Sequence, residues 1–141
     1  MSGEYPTLLE KRARAMLSLA EELLQRGLYD LSVLNAEYAA QLFVKALLFR
    51  VTGEEWRGHS VRQLLGVLAM ELRRRGLASE AELVEDFVKG FRRLLAELEE
   101  AHVRAVYGVF EYSREQAEKI LSAAKRVFEL VKGVSERVFG A

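Results

Sequence analysis

Glu37, Gln41 and Lys45 stand at i, i+4 and i+8 in a stretch that is otherwise almost wholly apolar. On an α-helix that spacing stacks the three side chains on one face. In one reading Lys45 holds a phosphate while Glu37 and Gln41 order it. In the other, the three form a partly buried network tying their helix to its neighbours. Eight residues separate Lys45 from Glu37, so the two meet only through Gln41 or another helix. His59, immediately before Ser60, is a candidate ligand contact or a group that fixes its loop by hydrogen bonding. Arg104 either holds a phosphate or pairs with Glu99 or Glu100 one turn back. Tyr107 and Tyr112 are expected as packing residues of an apolar loop. Trp56, in a polar loop, reads as a partner contact or as the cover of a helix end.

Other chemistries find less support. Glu99 and His102 have the Glu-x-x-His spacing of di-metal carboxylate bundles. The second half-motif such a centre needs is absent, because the only other histidine, His59, follows Trp56 at that spacing. No metal site or cofactor is therefore expected. The chain has no G-x-x-x-x-G-K-[ST], no G-x-G-x-x-G and no nucleophile elbow. Arg73, Arg74 and Arg75 fall in the last turn of an expected helix, where cations favour the helix dipole. Phosphate contact is their alternative use.

Composition narrows the field further. The 141 residues suit one domain spanning 1–141. Twenty-one bases balance twenty-one acids, so no global field attracts nucleic acid or membrane. DNA and membranes are not expected partners. Without cysteine there is no disulfide framework and no thiol chemistry. No apolar run approaches the roughly 18 residues of a membrane span, and the start resembles no signal peptide. A cytoplasmic location is the expectation. Asn occurs once, Gln four times, and Arg outnumbers Lys 15 to 6. That bias resembles a thermophile's sequence, although a helix-rich protein also favours Glu, Arg, Leu and Ala.

The positioning elements follow from period and punctuation. A first helix over residues 6–26 carries an apolar face of Leu9, Ala13, Met16, Leu17, Ala20, Leu23 and Leu24, and Gly27 ends it. Asp30 reads as the cap of a second helix over residues 29–50, apolar on most sides and hence buried. Ser60 with Gln63, Ser79 with Glu82, and Ser113 with Gln116 read as capping boxes of three more helices. The fourth helix is expected to run unbroken toward Val103 or Arg104. Residues 105–112 read as a packed loop. The expected fold is all-α, an antiparallel up-and-down bundle of four to five helices.

The stretch NAEYAAQLFVKALLFRVTG, followed by Gly58-His59-Ser60-Val61 and Leu64-Leu65, resembles the HEPN domain (higher eukaryotes and prokaryotes nucleotide-binding). Ala36, Ala39, Ala40, Lys45, Ala46, Leu47, Leu48, Gly53 and His59 match that family's pattern. His102-Val103-Arg104-Ala105-Val106-Tyr107 and Tyr112 to Ala117 echo its later segments. The resemblance covers nearly the whole chain. It implies a helical bundle, commonly a homodimer, working around RNA or nucleotides in the cytoplasm. It also implies a frequent partner, a small nucleotidyltransferase acting as antitoxin to a ribonuclease. His102, Arg104 and Tyr107 lie where the family's cleft residues fall.

The family's nucleases resemble one another in an Arg-x4-6-His motif, and this chain departs from it. Arg93 precedes His102, and Arg50 precedes His59, each with eight residues between, while Arg57 precedes His59 with one. Nine residues along a helix span about 13.5 Å, too far for both side chains to share one phosphate. The expectation is a non-catalytic, homodimeric binding module for a nucleotide, RNA or a nucleotidyltransferase in a toxin–antitoxin-like system. Its candidate ligand residues are Lys45, Glu37, Gln41, His59, His102, Arg104 and Tyr107. A metal-independent ribonuclease assembled across the dimer from His102, Arg104 and Lys45 is one alternative. A scaffold subunit without small ligand is another.

Overall fold

The computed structural model describes residues 4–140. Among them lie six helices and no strand: α1 (Glu4–Gln25), α2 (Tyr29–Thr52), α3 (Val61–Arg74), α4 (Ala78–Gly90), α5 (Arg92–Tyr107) and α6 (Arg114–Phe139). The architecture is the all-helical bundle expected from the apolar periods. Helix α2 is its axis and packs on α1, α3, α5 and α6. Helix α4 closes the far side against α3, α5 and α6. Val33, Ala36, Ala40, Val44, Leu47 and Leu48 of α2 are buried, and Phe43 stacks on Phe128 of α6 at 4.1 Å between ring centres. Removing that much apolar surface from water is what holds the helices together.

Two turns are built alike. The N–H of Leu28 bonds to the carbonyl of Leu23, and that of Gly27 to Leu24. Leu77 and Gly76 repeat the pattern on Leu72 and Arg73. Gly27 at φ 77° and Gly76 at φ 78° supply the left-handed residue that this closure needs. Each turn leads within two residues into the next helix, which folds α1 back on α2 and α3 back on α4.

That economy overturns two expected caps. Asp30 does not cap α2, because the helix already begins at Tyr29 and Leu28 occupies the cap position without a side-chain bond. Its Oδ1 instead accepts the backbone N–H of Tyr112, 82 residues away, at 2.8 Å. Ser79 likewise lies inside α4, whose cap position is Leu77. In both cases the leucine closing one helix opens the next, and its carbonyl accepts the first helical N–H. Ser60 and Ser113 do cap, each accepting the amide three residues on at 3.1 Å. Ser113 completes a reciprocal box with Gln116.

The expected long fourth helix is two helices. Phe91, at φ −115° and ψ 28°, leaves the helical region after Gly90 and separates α4 from α5. Its ring packs 4.8 Å from Phe87 and lies under the guanidinium of Arg126. The second piece runs past Arg104 to Tyr107. The packed loop expected at 105–112 is also corrected: Tyr107, Val109 and Phe110 are 80%, 89% and 86% exposed. Ala105 and Tyr112 of this segment do pack against the core. The arginines of residues 73–75 are occupied. Arg73 makes two bonds to Glu85, at 2.8 and 2.6 Å, while Arg74 and Arg75 both hold the buried Glu71.

The Asp30 bond anchors the otherwise exposed loop before α6. Asp30→Ala should cost about 1.5–3 kcal/mol, the usual worth of a hydrogen bond to a charged acceptor. The melting temperature should fall by a few degrees, and the Tyr112 amide should lose its protection from hydrogen exchange. An unchanged exchange rate at Tyr112 would refute the anchoring role.

Candidate functional site

Helix α2 carries the polar stripe through the middle of the bundle. Glu37 and Gln41 are buried and Lys45 is half-buried. Gln41 donates through Nε2 to Glu37 Oε2 at 2.6 Å. The other carboxylate oxygen lies 2.9 Å from Nδ1 of His102 on α5. That bond needs a proton on Nδ1 when the carboxylate is charged, so Nε2 of a neutral His102 is the free nitrogen. The imidazole leans on Tyr38 at 5.3 Å between ring centres, with its side chain about a third exposed.

Two features mark this network as incomplete. Gln41 Oε1 is buried without a hydrogen-bond partner. The amide cannot turn to satisfy it, because its NH2 is required by Glu37. Such an orphaned acceptor costs roughly 1–3 kcal/mol. Further along, Lys45 forms no ion pair among the described residues. Burial pushes the Lys45 ammonium down, offset in part by the charge of Glu37. Burial also pushes the Glu37 carboxyl up, against the pull of Gln41, His102 and His59.

The two ends of the stripe open in different places. Its His102 end reaches the surface between α2 and α5. Its Lys45 end opens into a cavity of about 390 Å³ lined by Tyr5, Phe49, Trp56, Arg57 and His59 among others. Trp56 is held there by an Nε1 bond to Thr52 Oγ1 at 3.1 Å, which sets it against the last residue of α2. His59 therefore shares the Lys45 end, and Glu37, Gln41 and His102 share the other.

Arg104 and Tyr107 stand apart from both. Arg104 pairs with Glu100 at 3.1 Å on the surface of α5. It also lines a separate cavity of about 420 Å³ with Gly108 to Tyr112. Tyr107 points into solvent, so its expected packing role is corrected: α5 runs one turn further than its period suggests and carries the ring beyond the core. Sequence reasoning missed Tyr5 and Phe49 as cavity walls and Tyr38 as the His102 support. Phe49 lies four residues after Lys45, and Tyr38 lies three before Gln41, so helical spacing could have found them. Tyr5 comes from the opposite end of the chain and left no such trace.

Among the described residues no group of three His, Asp or Glu is placed to hold a metal ion, and no helix is long and apolar enough to cross a membrane. What fold and site define is a helical bundle organised around one buried helix, with a carboxylate–imidazole pair at one end of its polar stripe. A family model, that of the HEPN domain, matches residues 7–134. The chain belongs to the HEPN domain family, a class of nucleotide-binding and ribonuclease-like helical modules. No curated protein matches the chain.

The raised carboxyl of Glu37 links the site to stability. A group whose folded pKa exceeds its unfolded value stabilises fully below the latter, here near 4.5, and ceases to do so as pH rises through the folded value. Glu37→Gln removes that dependence. Over the interval that begins near pH 4.5 and runs upward, the melting temperature of Glu37→Gln should gain on that of the unsubstituted protein. A relative loss over the same interval would contradict a raised Glu37.

Proposed function

We propose that this HEPN-domain protein is a non-catalytic binding module that works as a homodimer. It engages a nucleotide or RNA, or a nucleotidyltransferase partner in a toxin–antitoxin-like system. The observation that carries the reading is that neither arginine flanking His102 on α5 is placed to share its task. His102 is drawn inward to Glu37, Arg104 is paired with Glu100, and Arg93 sits nine residues back on α5, about 13.5 Å along the axis. A nuclease of this family's type needs the two groups at one phosphate.

Dimerisation is supported by an apolar surface. Leu31 and Tyr38 on α2, Val103, Val106 and Tyr107 on α5, and Val109 and Phe110 after it are all exposed. The Tyr38–His102 contact and the Asp30–Tyr112 bond bring the two segments side by side. The one ion pair of this stretch of α5, Arg104 with Glu100, is internally neutral. Exposed apolar side chains clustered in this way mark an interface, and an isologous contact between two copies covers them on both chains at once.

The ribonuclease alternative has one observation in its favour. A buried carboxylate holding Nδ1 leaves Nε2 poised as a general base, and this reading requires a dimer that brings two such imidazoles into one cleft. Two measurements decide between the readings. Light scattering at micromolar concentration should give twice the chain mass, and Tyr107→Asp with Phe110→Asp should return the monomer; a monomeric unsubstituted protein would sink the dimer. Single-stranded RNA incubated with the protein and a chelator should remain intact. Cleavage that His102→Ala abolishes would establish the ribonuclease instead.

A further inference from the structure

We propose that the cavity between the start of α1, the second half of α2 and the loop over residues 53–60 binds a phosphate-bearing aromatic molecule of mononucleotide size. The assignment rests on reading the chain as a binding module and names the site and ligand chemistry through which it binds. Its anchor is Lys45, a half-buried cation with no carboxylate at ion-pair distance among the described residues. An ammonium withdrawn from water without a counter-ion is held at a cost, and an entering anion removes it. Arg57 and His59 line the same cavity, so one anionic group meets up to three donors. Glu55 is the acid on this wall, and it accepts a hydrogen bond from the Tyr5 hydroxyl. A phosphoryl group, with two charges and three acceptor oxygens, fits that donor set better than a carboxylate.

The remaining walls select a ring. Phe49 and Tyr5 meet edge to face at 5.1 Å, and Trp56, held by its bond to Thr52, lines the same cavity. Inorganic phosphate would leave these surfaces unused. The volume of about 390 Å³ lies within the range of small-molecule sites and admits one nucleoside unit rather than a chain. Rings already held in place lose little freedom when a planar ligand packs on them, which favours stacking.

Trp56 is the single tryptophan of the chain, so its fluorescence reports this cavity alone. Titration with adenosine monophosphate should quench it saturably, with an affinity at least about tenfold above that of adenosine or inorganic phosphate tested separately. Lys45→Met, which keeps the aliphatic stem, should weaken binding about tenfold or more. Arg57→Ala, on the exposed loop where folding is not at stake, should weaken it several-fold and secures the test if Lys45→Met fails to fold. Equal affinity for adenosine would overturn the phosphoryl assignment, and quenching indifferent to both substitutions would overturn the site. A gel-shift with single-stranded RNA on the same preparation separates the two levels. RNA retained without any Trp56 response removes this site and leaves the binding module standing, whereas no binding of nucleotide, RNA or protein partner removes both.

Discussion

The bundle depends on a carboxylate placed where it should be costly. Helix α2 is enclosed by four others, and Glu37 lies at its buried centre. An unpaired charge there would cost several kcal/mol even after relaxation. The bond from His102 is what makes the position tolerable, and it fixes how α5 lies against α2. Apolar packing alone tolerates sliding of one helix on another by small steps. A buried polar bond does not, because a shift of one residue would strand Glu37 and leave its desolvation unrelieved. The register of α2 on α5, and so the position of the exposed segment that follows α5, descends from that single contact.

Much of this organisation was legible in the chain itself. Apolar period and terminal glycines located the helices, and the four-residue recurrence of Glu37, Gln41 and Lys45 placed them on one face. These are local signals, set by backbone geometry within a turn or two. The partner of Glu37, 65 residues away, was not legible, and neither was the use of Asp30 by Tyr112. Both are side-chain bonds between elements that only the tertiary fold brings together. The break at Phe91 escaped for a related reason. Gly90 is a weak helix former, but whether a glycine ends a helix depends on what the next side chain can reach, and here Phe91 has Phe87 and Arg126 to pack on. The exposure of Val109 and Phe110 ran against composition outright. Apolar residues predict burial only if a surface is there to bury them, and this chain alone does not provide it.

The charges divide along the same line between local and tertiary use. Arg73, Arg74 and Arg75 look like a phosphate-binding run in the sequence. In the fold they are consumed by Glu85 and Glu71, and the carboxyl of Glu71 is held below its ordinary value by Arg75 and Arg74. The exposed Arg73–Glu85 pair is worth little to stability. The consequence of these pairs is that all three arginines are already engaged and two of their three charges are matched. Lys45 is the contrary case: a lone cation in the sequence that, among the described residues, has no carboxylate at ion-pair distance in the fold and feels Glu37 only from further off.

Stability by itself does not call for the polar stripe. Replacing a buried polar or ionic network by apolar side chains of similar volume is often neutral or stabilising, and α2 already has the apolar neighbours to receive leucines at 37 and 41. The network is also imperfect, with Gln41 Oε1 unpartnered and Lys45 without a counter-ion. A purely structural network would be expected to close on itself, since each open bond subtracts from the fold. This one closes at the His102 end, where α5 has to be positioned, and stays open at the Lys45 end, where it meets a cavity. Closure where a helix needs registration and openness where solvent can be displaced is the pattern of a helix that both organises its bundle and presents a site.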